Sequence, residues 1–255
     1  YLCAFCGIAL SYAFVLITDY YTSYKYRPVK SIAEASKTGA ATNIITGISV
    51  GMESTALPVL AVSAVIFASY KFGEFALPNI SNGGFYGIAI ATIGMLSSCA
   101  YILSMDTFGP ITDNAGGIVE MSGAPEDIRL VTDKLDACGN TTKALTKGYA
   151  VGSAALATFL LFFAYLEQVK TILGKPLDSL FAVDIGKSQV FIGAFIGAMV
   201  VFIFSSAAIR SVGKAAQYVI VEVRRQFKEI SGIMEGTAKP DYANCVDIVT
   251  KGALK

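Results

Sequence analysis

The sequence of 255 residues contains no histidine and no tryptophan, and only 15% of its residues are charged. The lack of histidine excludes imidazole metal ligands and histidine general bases. The lack of tryptophan leaves any aromatic belt at a membrane interface to tyrosine and phenylalanine. A soluble domain would carry about 25% charged residues. With 54% hydrophobic residues and a mean hydropathy of +0.59, the composition predicts an integral membrane protein.

Charge and cysteine content point to no other class of protein. A net charge of +1 gives no field that would attract nucleic acid, so we expect no nucleic-acid partner. The five cysteines lack metal-site spacing, and their odd number argues against a disulfide framework. They are Cys3, Cys6, Cys99, Cys138 and Cys245.

Five apolar segments are long enough to cross a bilayer, which takes about 20 mainly apolar residues. These segments are residues 2–18, 44–70, 85–105, 149–165 and 190–209. The sequence therefore predicts an all-α fold, a polytopic transmembrane helix bundle in contact with the lipid bilayer. Such a protein would cross the membrane several times.

Basic residues indicate the orientation of this bundle. They are concentrated in the connecting segments 19–42, 106–148 and 210–255, which the positive-inside rule places in the cytoplasm. The segments 72–84 and 167–188 then face outside or a lumen. The whole of 1–255 is expected to be part of one integral-membrane domain.

Carboxylates follow the third apolar segment at seven-residue intervals. Asp106, Asp113 and Glu120 would share one face of a helix. The next helix carries a second polar stripe at spacings of three or four residues. That stripe consists of Asp133, Asp136, Asn140, Lys143 and Lys147.

Two facing stripes of this kind would form a polar cleft. Carboxylate and amide oxygens suit Mg²⁺, which usually binds together with phosphate, and lysine binds phosphate as a point charge. The cleft therefore predicts Mg²⁺ as cofactor. The alternative interpretation is a solvated loop with helix caps, because Asp and Thr are common caps.

Glu53 lies inside the second apolar segment, beside Ser54, Thr55 and Pro58. A carboxylate within a membrane span is a functional candidate. It could also be a glutamate at a helix interface that is protonated or bonded to Ser or Thr. A secondary transporter that uses Glu53 and the acids near a broken helix is one alternative function, and a non-catalytic structural membrane subunit is another.

Several motifs together resemble the signatures of the membrane-bound, ion-pumping inorganic pyrophosphatases, and the resemblance covers essentially the whole chain. The longest motif is DTFGPITDNAGGIVEM at 106–121, followed by residues 132–148 around the tetrapeptide GNTT. The shorter motifs are TGAATN at 38–43, GISVGMESTA at 47–56, RSVGKAA at 210–216 and EVRRQF at 222–227.

The resemblance implies a sixteen-helix fold, usually a homodimer, that couples Mg-pyrophosphate hydrolysis to cation export. It also implies a location in a bacterial inner membrane, or in a vacuolar or acidic-organelle membrane of a eukaryote. This chain resembles the ninth to thirteenth helices, and we expect an internal piece of a longer polypeptide. By position, Asp113 resembles a Mg²⁺ ligand, and Asn140 resembles its partner on the next helix. The residues expected to support the site or bind substrate are Asp106, Glu120, Asp136 and Lys147.

The family's other acidic motifs do not occur in this sequence. The resemblance therefore places the water-activating residues and the ion gate outside this chain, and no catalytic residue is expected within it. We expect that the piece alone cannot hydrolyse pyrophosphate.

Lys143 and Thr146 identify the branch of the family. Members that depend on K⁺ carry small residues at these positions. The sequence resembles the K⁺-independent branch, in which a lysine ammonium replaces bound K⁺. Because sodium pumps resemble the K⁺-dependent branch, protons are the expected transported ion.

Overall fold

The computed structural model describes residues 1–80, 82–174 and 185–254, and every regular element in these ranges is helical. Part of the predicted external segment 167–188, residues 175–184, lies outside the described residues. The helices are α1 (Leu2–Thr22), α2 (Arg27–Ser36), α3 (Ala40–Glu53), α4 (Ala56–Ala76), α5 (Gly83–Leu96), α6 (Cys99–Met121), α7 (Glu126–Leu173), α8 (Ser188–Glu229) and α9 (Tyr242–Ala253).

The predicted all-α membrane bundle is confirmed. Within the described ranges, 4 helical stretches are long and apolar enough to span a membrane, or up to 5 if the bent pair α5 and α6 counts as one span. The four are Leu2–Ser36, Ala40–Ala76, Glu126–Leu173 and Ser188–Glu229. The chain divides into two compact units, Tyr1–Leu177 with α1 to α7 and Asp178–Lys255 with α8 and α9.

Two of the predicted apolar segments are interrupted. The second is divided between α3 and α4, where the hydroxyls of Ser54 and Thr55 each donate to a carbonyl one turn back, at 2.8 Å. The third bends by 43° between α5 and α6. At the break between α3 and α4, the bonds from the Ser54 and Thr55 hydroxyls satisfy part of the exposed backbone.

The polar segment 106–148 is helical except for a short turn. The helix α6 passes through Pro110 and ends at Met121, and α7 begins at Glu126 and runs for 48 residues. A helix of that length measures roughly 70 Å, whereas the apolar part of a bilayer is about 30 Å thick. The polar half of α7 therefore projects beyond its apolar half.

The first unit has one hydrophobic core between α1, α5, α6 and α7. Tyr149 lies within it, and its hydroxyl donates to the carbonyl of Met95 at 2.8 Å, which satisfies a polar group in an apolar environment. The buried side chains of this core are Leu10, Phe14, Ile88, Met95, Ile102, Tyr149 and Leu156.

Glycines allow α5 to approach its neighbours closely. A Cβ on Gly7 would overlap the carbonyl oxygen of Ala91, and the α4–α5 contact places Gly73 against the backbone of Gly87. Small residues at such crossings are typical of helix packing in membranes. These contacts at Gly7, Gly73 and Gly87 limit the distances between α1, α4 and α5.

In the second unit, a buried glutamine joins α9 to α8. Gln226 donates through Nε2 to Glu222 Oε1 at 2.8 Å and to the carbonyl of Asp241 at 2.9 Å. Its Oε1 accepts from the Asp241 amide at 2.8 Å. Arg225 binds both carboxylate oxygens of Glu222, at 2.7 and 2.9 Å. We call these four residues the α8–α9 clasp.

The first prediction concerns the glycine contact between α1 and α5. We expect Gly7→Ala to destabilise the chain by about 1–3 kcal/mol or more, because the added methyl must displace backbone. Thermal unfolding of the detergent-solubilised chain, followed by circular dichroism, measures this effect. Gly47→Ala is the matched control, since nothing lies within 4 Å of its Cβ position and alanine favours helix. An equal loss in both variants would contradict the prediction.

The second prediction concerns the clasp, which lies beyond the apolar stretch 190–209 of α8. Hydrogen bonds from Arg225, Gln226 and Asn244 lower the pKa of the Glu222 carboxyl from 4.5 to about 2. The carboxylate therefore stabilises the clasp fully above pH 4.5, and this contribution is lost as the pH falls towards 2. Hydrogen exchange of α9, corrected for intrinsic rates, should show protection declining within that window.

Glu222→Gln keeps the shape of the side chain but removes its ionisation. We expect the protection of α9 in this variant to show no decline in the same acidic window. A decline equal to that of the unaltered chain would show that another group controls the pairing.

Candidate functional site

The polar residues of the candidate site lie where α6 and α7 pack closely against each other. A Cβ on Gly139 would overlap the Thr112 hydroxyl, and a Cβ on Gly109 would lie 2.5 Å from two carbons of the Lys143 side chain. Both glycines are buried. The helices can therefore approach until short and long polar side chains bridge them directly.

Each of the three acids on α6 contacts a residue of α7. Asp106 Oδ1 accepts from the Thr146 hydroxyl at 2.8 Å, and Asp113 Oδ2 pairs with Lys143 Nζ at 2.8 Å. Further along, Glu120 Oε2 pairs with Arg129 Nη1 at 2.6 Å. Numbers rise along α6 as they fall along α7, so the helices are antiparallel. The acids share the face that meets α7, as their spacing predicts.

Lys143 is the centre of this arrangement. Its ammonium lies 2.8 Å from Asp113 Oδ2 and 3.5 Å from the amide oxygen of Asn140. The Asn140 amide nitrogen in turn donates to Asp136 Oδ2 at 3.0 Å. These four side chains form a continuous polar chain, which we call the Lys143 junction.

The two partners of the central ion pair differ in exposure. The Lys143 side chain is 24% exposed, whereas that of Asp113 is 61% exposed. The cation is held within the helix interface, and the carboxylate remains accessible. An accessible carboxylate beside a held positive charge can bind a further cation or a hydrated ligand.

Asp106, Thr146 and Lys147 line a separate cavity of about 280 Å³. Lys147 also lines a second cavity, of about 350 Å³, between α1, α4 and α7. Within the described ranges, its ammonium forms no salt bridge. Lys147 is therefore a cation available to a ligand.

The structure brings together only part of the predicted set. Asp113, Asn140, Asp136 and Lys143 form the junction, and Asp106 and Thr146 pair beside it. Glu120 is engaged with Arg129 and lies about 10 Å along α6 from Asp113, so it does not join them.

The donor set fits a partial Mg²⁺ site. Among the described residues, no group of three or more acidic or thiol side chains could hold a metal ion. Mg²⁺, however, is commonly held by one or two carboxylates, with water and phosphate oxygens as its other ligands. Asp113 has an accessible carboxylate, and Asn140 directs an amide oxygen towards the same junction.

Glu53 lies apart from the junction, at the end of α3. It is exposed and accepts a hydrogen bond from the Tyr21 hydroxyl at 3.4 Å. Its partner is thus a tyrosine of α1, whereas the neighbouring Ser54 and Thr55 hydroxyls donate to backbone carbonyls.

Sequence reasoning did not identify the partners of these acids. It assigned Asp113 to metal and Lys143 to the K⁺ position without predicting their ion pair, and it did not predict the bond from Thr146 to Asp106. A signal was present in the two glycines Gly109 and Gly139, which permit the close contact, and in the short turn between α6 and α7.

Comparisons with known proteins identify the family of this chain. The K(+)-insensitive pyrophosphate-energized proton pump of Caldanaerobacter subterraneus subsp. tengcongensis is 77% identical over 249 residues, covering 98% of this chain and 35% of that protein. The K(+)-insensitive pyrophosphate-energized proton pump 2 of Moorella thermoacetica is 70% identical over 250 residues, covering 98% of this chain and 36% of that protein.

A plant relative shows similar coverage. The pyrophosphate-energized membrane proton pump 3 of Arabidopsis thaliana is 54% identical over 259 residues, covering 100% of this chain and 32% of that protein. The chain thus spans about a third of the length of these relatives. The family model for inorganic H+ pyrophosphatase matches residues 1–255, and this chain therefore belongs to the inorganic H+ pyrophosphatase family.

Proposed function

We propose that this chain forms part of a membrane pump that couples Mg-pyrophosphate hydrolysis to proton translocation and needs no K⁺. The observation that supports this proposal is the position of the Lys143 ammonium, between the Asp113 carboxylate and the Asn140 amide oxygen. A tethered ammonium there supplies the monovalent positive charge that a diffusible ion would otherwise provide. The match along the whole chain does not favour the transporter or structural-subunit alternatives.

In this function, Asp113 and Asn140 would hold Mg²⁺ on the accessible side of the junction. When bound, Mg²⁺ neutralises charge on pyrophosphate, and phosphoryl transfer depends mainly on such neutralisation and on positioning. Lys143 reduces the repulsion between the Asp113 carboxylate and an incoming phosphate. Lys147, exposed and without a salt bridge in the described part of the chain, would bind phosphate as a point charge.

The remaining parts of the mechanism belong to segments beyond this third of the relatives' length. These segments would supply the water-activating residues, further Mg²⁺ ligands and the ion gate. We expect the Lys143 junction to lie on the cytoplasmic side of a multi-pass bundle, because basic residues are concentrated in the segments around it. The pump would act as a homodimer, as the resemblance implies.

The proton-pumping proposal can be tested in a chimera. This chain would replace the corresponding segment of the Caldanaerobacter relative, which is 77% identical. Vesicles that contain the chimera, without K⁺, should acidify internally when Mg-pyrophosphate is added, and a protonophore should abolish the signal of a pH-sensitive dye.

Asp113→Asn in the same chimera should abolish both phosphate release and acidification, because the neutral amide removes a charged Mg²⁺ ligand. Phosphate release without acidification would exclude proton coupling. Turnover retained by Asp113→Asn would exclude the proposed metal role of that residue.

The K⁺-independence proposal can be tested at Lys143. Lys143→Ala should lower hydrolysis without K⁺ by about tenfold or more, because a charge-assisted hydrogen bond is worth about 1.5–3 kcal/mol. Added K⁺ should restore most of the loss, whereas Na⁺ should not.

Lys134→Ala is the matched control, since it removes the same charge from an exposed position on α7. We expect this variant to show no K⁺ stimulation. If Lys143→Ala shows the same indifference to K⁺, the ammonium does not replace bound K⁺.

A further inference from the structure

We propose that Asp136 is a positioning residue. It fixes the orientation of the Asn140 amide, so that the amide oxygen faces the Lys143 ammonium and the Mg²⁺ proposed to bind beside it. This inference rests on the proposed function, because it gives Asn140's neighbour a part in cation binding. It concerns one hydrogen bond, from Asn140 Nδ2 to Asp136 Oδ2 at 3.0 Å.

The two ends of an asparagine amide are nearly equal in shape but opposite in hydrogen bonding. The oxygen accepts and can ligate a cation, whereas the NH₂ group donates and repels one. Asn140 is exposed, so packing alone does not choose between its two orientations. Its neighbours must therefore determine which end faces the junction.

Asp136 and Lys143 act on the amide from both sides. They precede and follow Asn140 by about one helical turn, which places all three on one face of α7. The amide nitrogen faces the carboxylate at 3.0 Å, and the amide oxygen faces the ammonium at 3.5 Å. The reversed amide would place oxygen against carboxylate and NH₂ against ammonium, and both contacts would be repulsive.

The two contacts are unequal, and this gives Asp136 the larger part. The 3.0 Å bond is an ordinary charge-assisted hydrogen bond, whereas 3.5 Å is at the limit of one. Lys143 also has a closer partner in Asp113, at 2.8 Å. The ammonium therefore constrains the amide weakly, and the carboxylate of Asp136 constrains it strongly.

Asp136 is not explained by its contribution to folding. Its second oxygen, Oδ1, is buried and has no hydrogen-bond partner among the described residues. A buried, unsatisfied polar atom destabilises a protein. Within the described residues, the bond from Asn140 is the hydrogen bond that this carboxylate makes.

The test uses the chimera described above and two readouts. The first is the Mg²⁺ concentration that gives half-maximal pyrophosphate hydrolysis. The second is independent of activity, namely the Mg²⁺-induced rise in the thermal unfolding midpoint, followed by circular dichroism. Loss of an outer partner of a metal ligand typically lowers metal affinity 10–100-fold.

Asp136→Ala should raise the half-maximal Mg²⁺ concentration about tenfold and reduce the Mg²⁺-induced shift. Asp136→Asn, which can still accept through its amide oxygen, should give a smaller change. Asp127→Ala, an exposed acid in the first turn of α7, removes the same charge and should change neither readout.

A double-mutant cycle separates positioning from general support. If Asp136 acts through Asn140, then Asp136→Ala should add nothing further in an Asn140→Ala background, because contacting residues that act as one unit are not additive. Additive effects would overturn the inference, and so would an unchanged Mg²⁺ requirement in Asp136→Ala.

The two readouts also separate this inference from the proposed function. A chimera that shows an Asp136-dependent Mg²⁺ shift but no hydrolysis would support the positioning role and refute the activity. Normal hydrolysis together with an unchanged Mg²⁺ requirement in Asp136→Ala would support the activity and refute the positioning role. If Mg²⁺ does not raise the thermal unfolding midpoint of the unaltered chimera, the positioning role is overturned.

Discussion

The contact between α6 and α7 at Gly109 and Gly139 is the constraint on which the candidate site depends. With any larger residue, the helices would separate, and side chains as short as Asp106 and Thr146 could no longer meet at 2.8 Å. The same contact confines the stem of Lys143, which passes over Gly109. Small residues are usually discussed as aids to helix packing in membranes. Here they also set the distance at which opposite charges on two helices bind each other.

A lysine held at such an interface differs from a bound ion in one physical respect. A diffusible cation must be concentrated from solution, so its occupancy depends on the salt present. A tethered ammonium is always present, and its position is limited by packing against α6. The 24% exposure of Lys143 combines these features, because the stem is confined while the charge still contacts Asp113 and Asn140. The proposed K⁺ independence would follow from this arrangement, because the charge balance of the junction would not depend on an external monovalent ion.

Helical periodicity predicted much of this site, and helix pairing was the part it could not predict. The spacing of Asp106, Asp113 and Glu120 places them on one face, since periodicity is a local property. The partners on α7 are up to 40 residues away, and their register depends on the turn at 122–125 and on the two glycines. Hydropathy likewise predicted the apolar segments but averaged over the break at Ser54. The sequence did not indicate that Gln226 is buried or which residues it contacts, because a single polar residue produces no periodic pattern.

Charge alternates along the Lys143 junction from the Asp136 carboxylate through the Asn140 amide dipole and the ammonium to Asp113. Each group is oriented by the one beside it, so the order is set before any ligand arrives. Preorganised dipoles of this kind stabilise charge without the cost of reorienting during the reaction. The outer group, Asp113, is the most exposed of the central pair and is therefore where a ligand would first meet the series. A segment that spans about a third of the length of its relatives thus orients the four polar groups of the Lys143 junction by its own contacts.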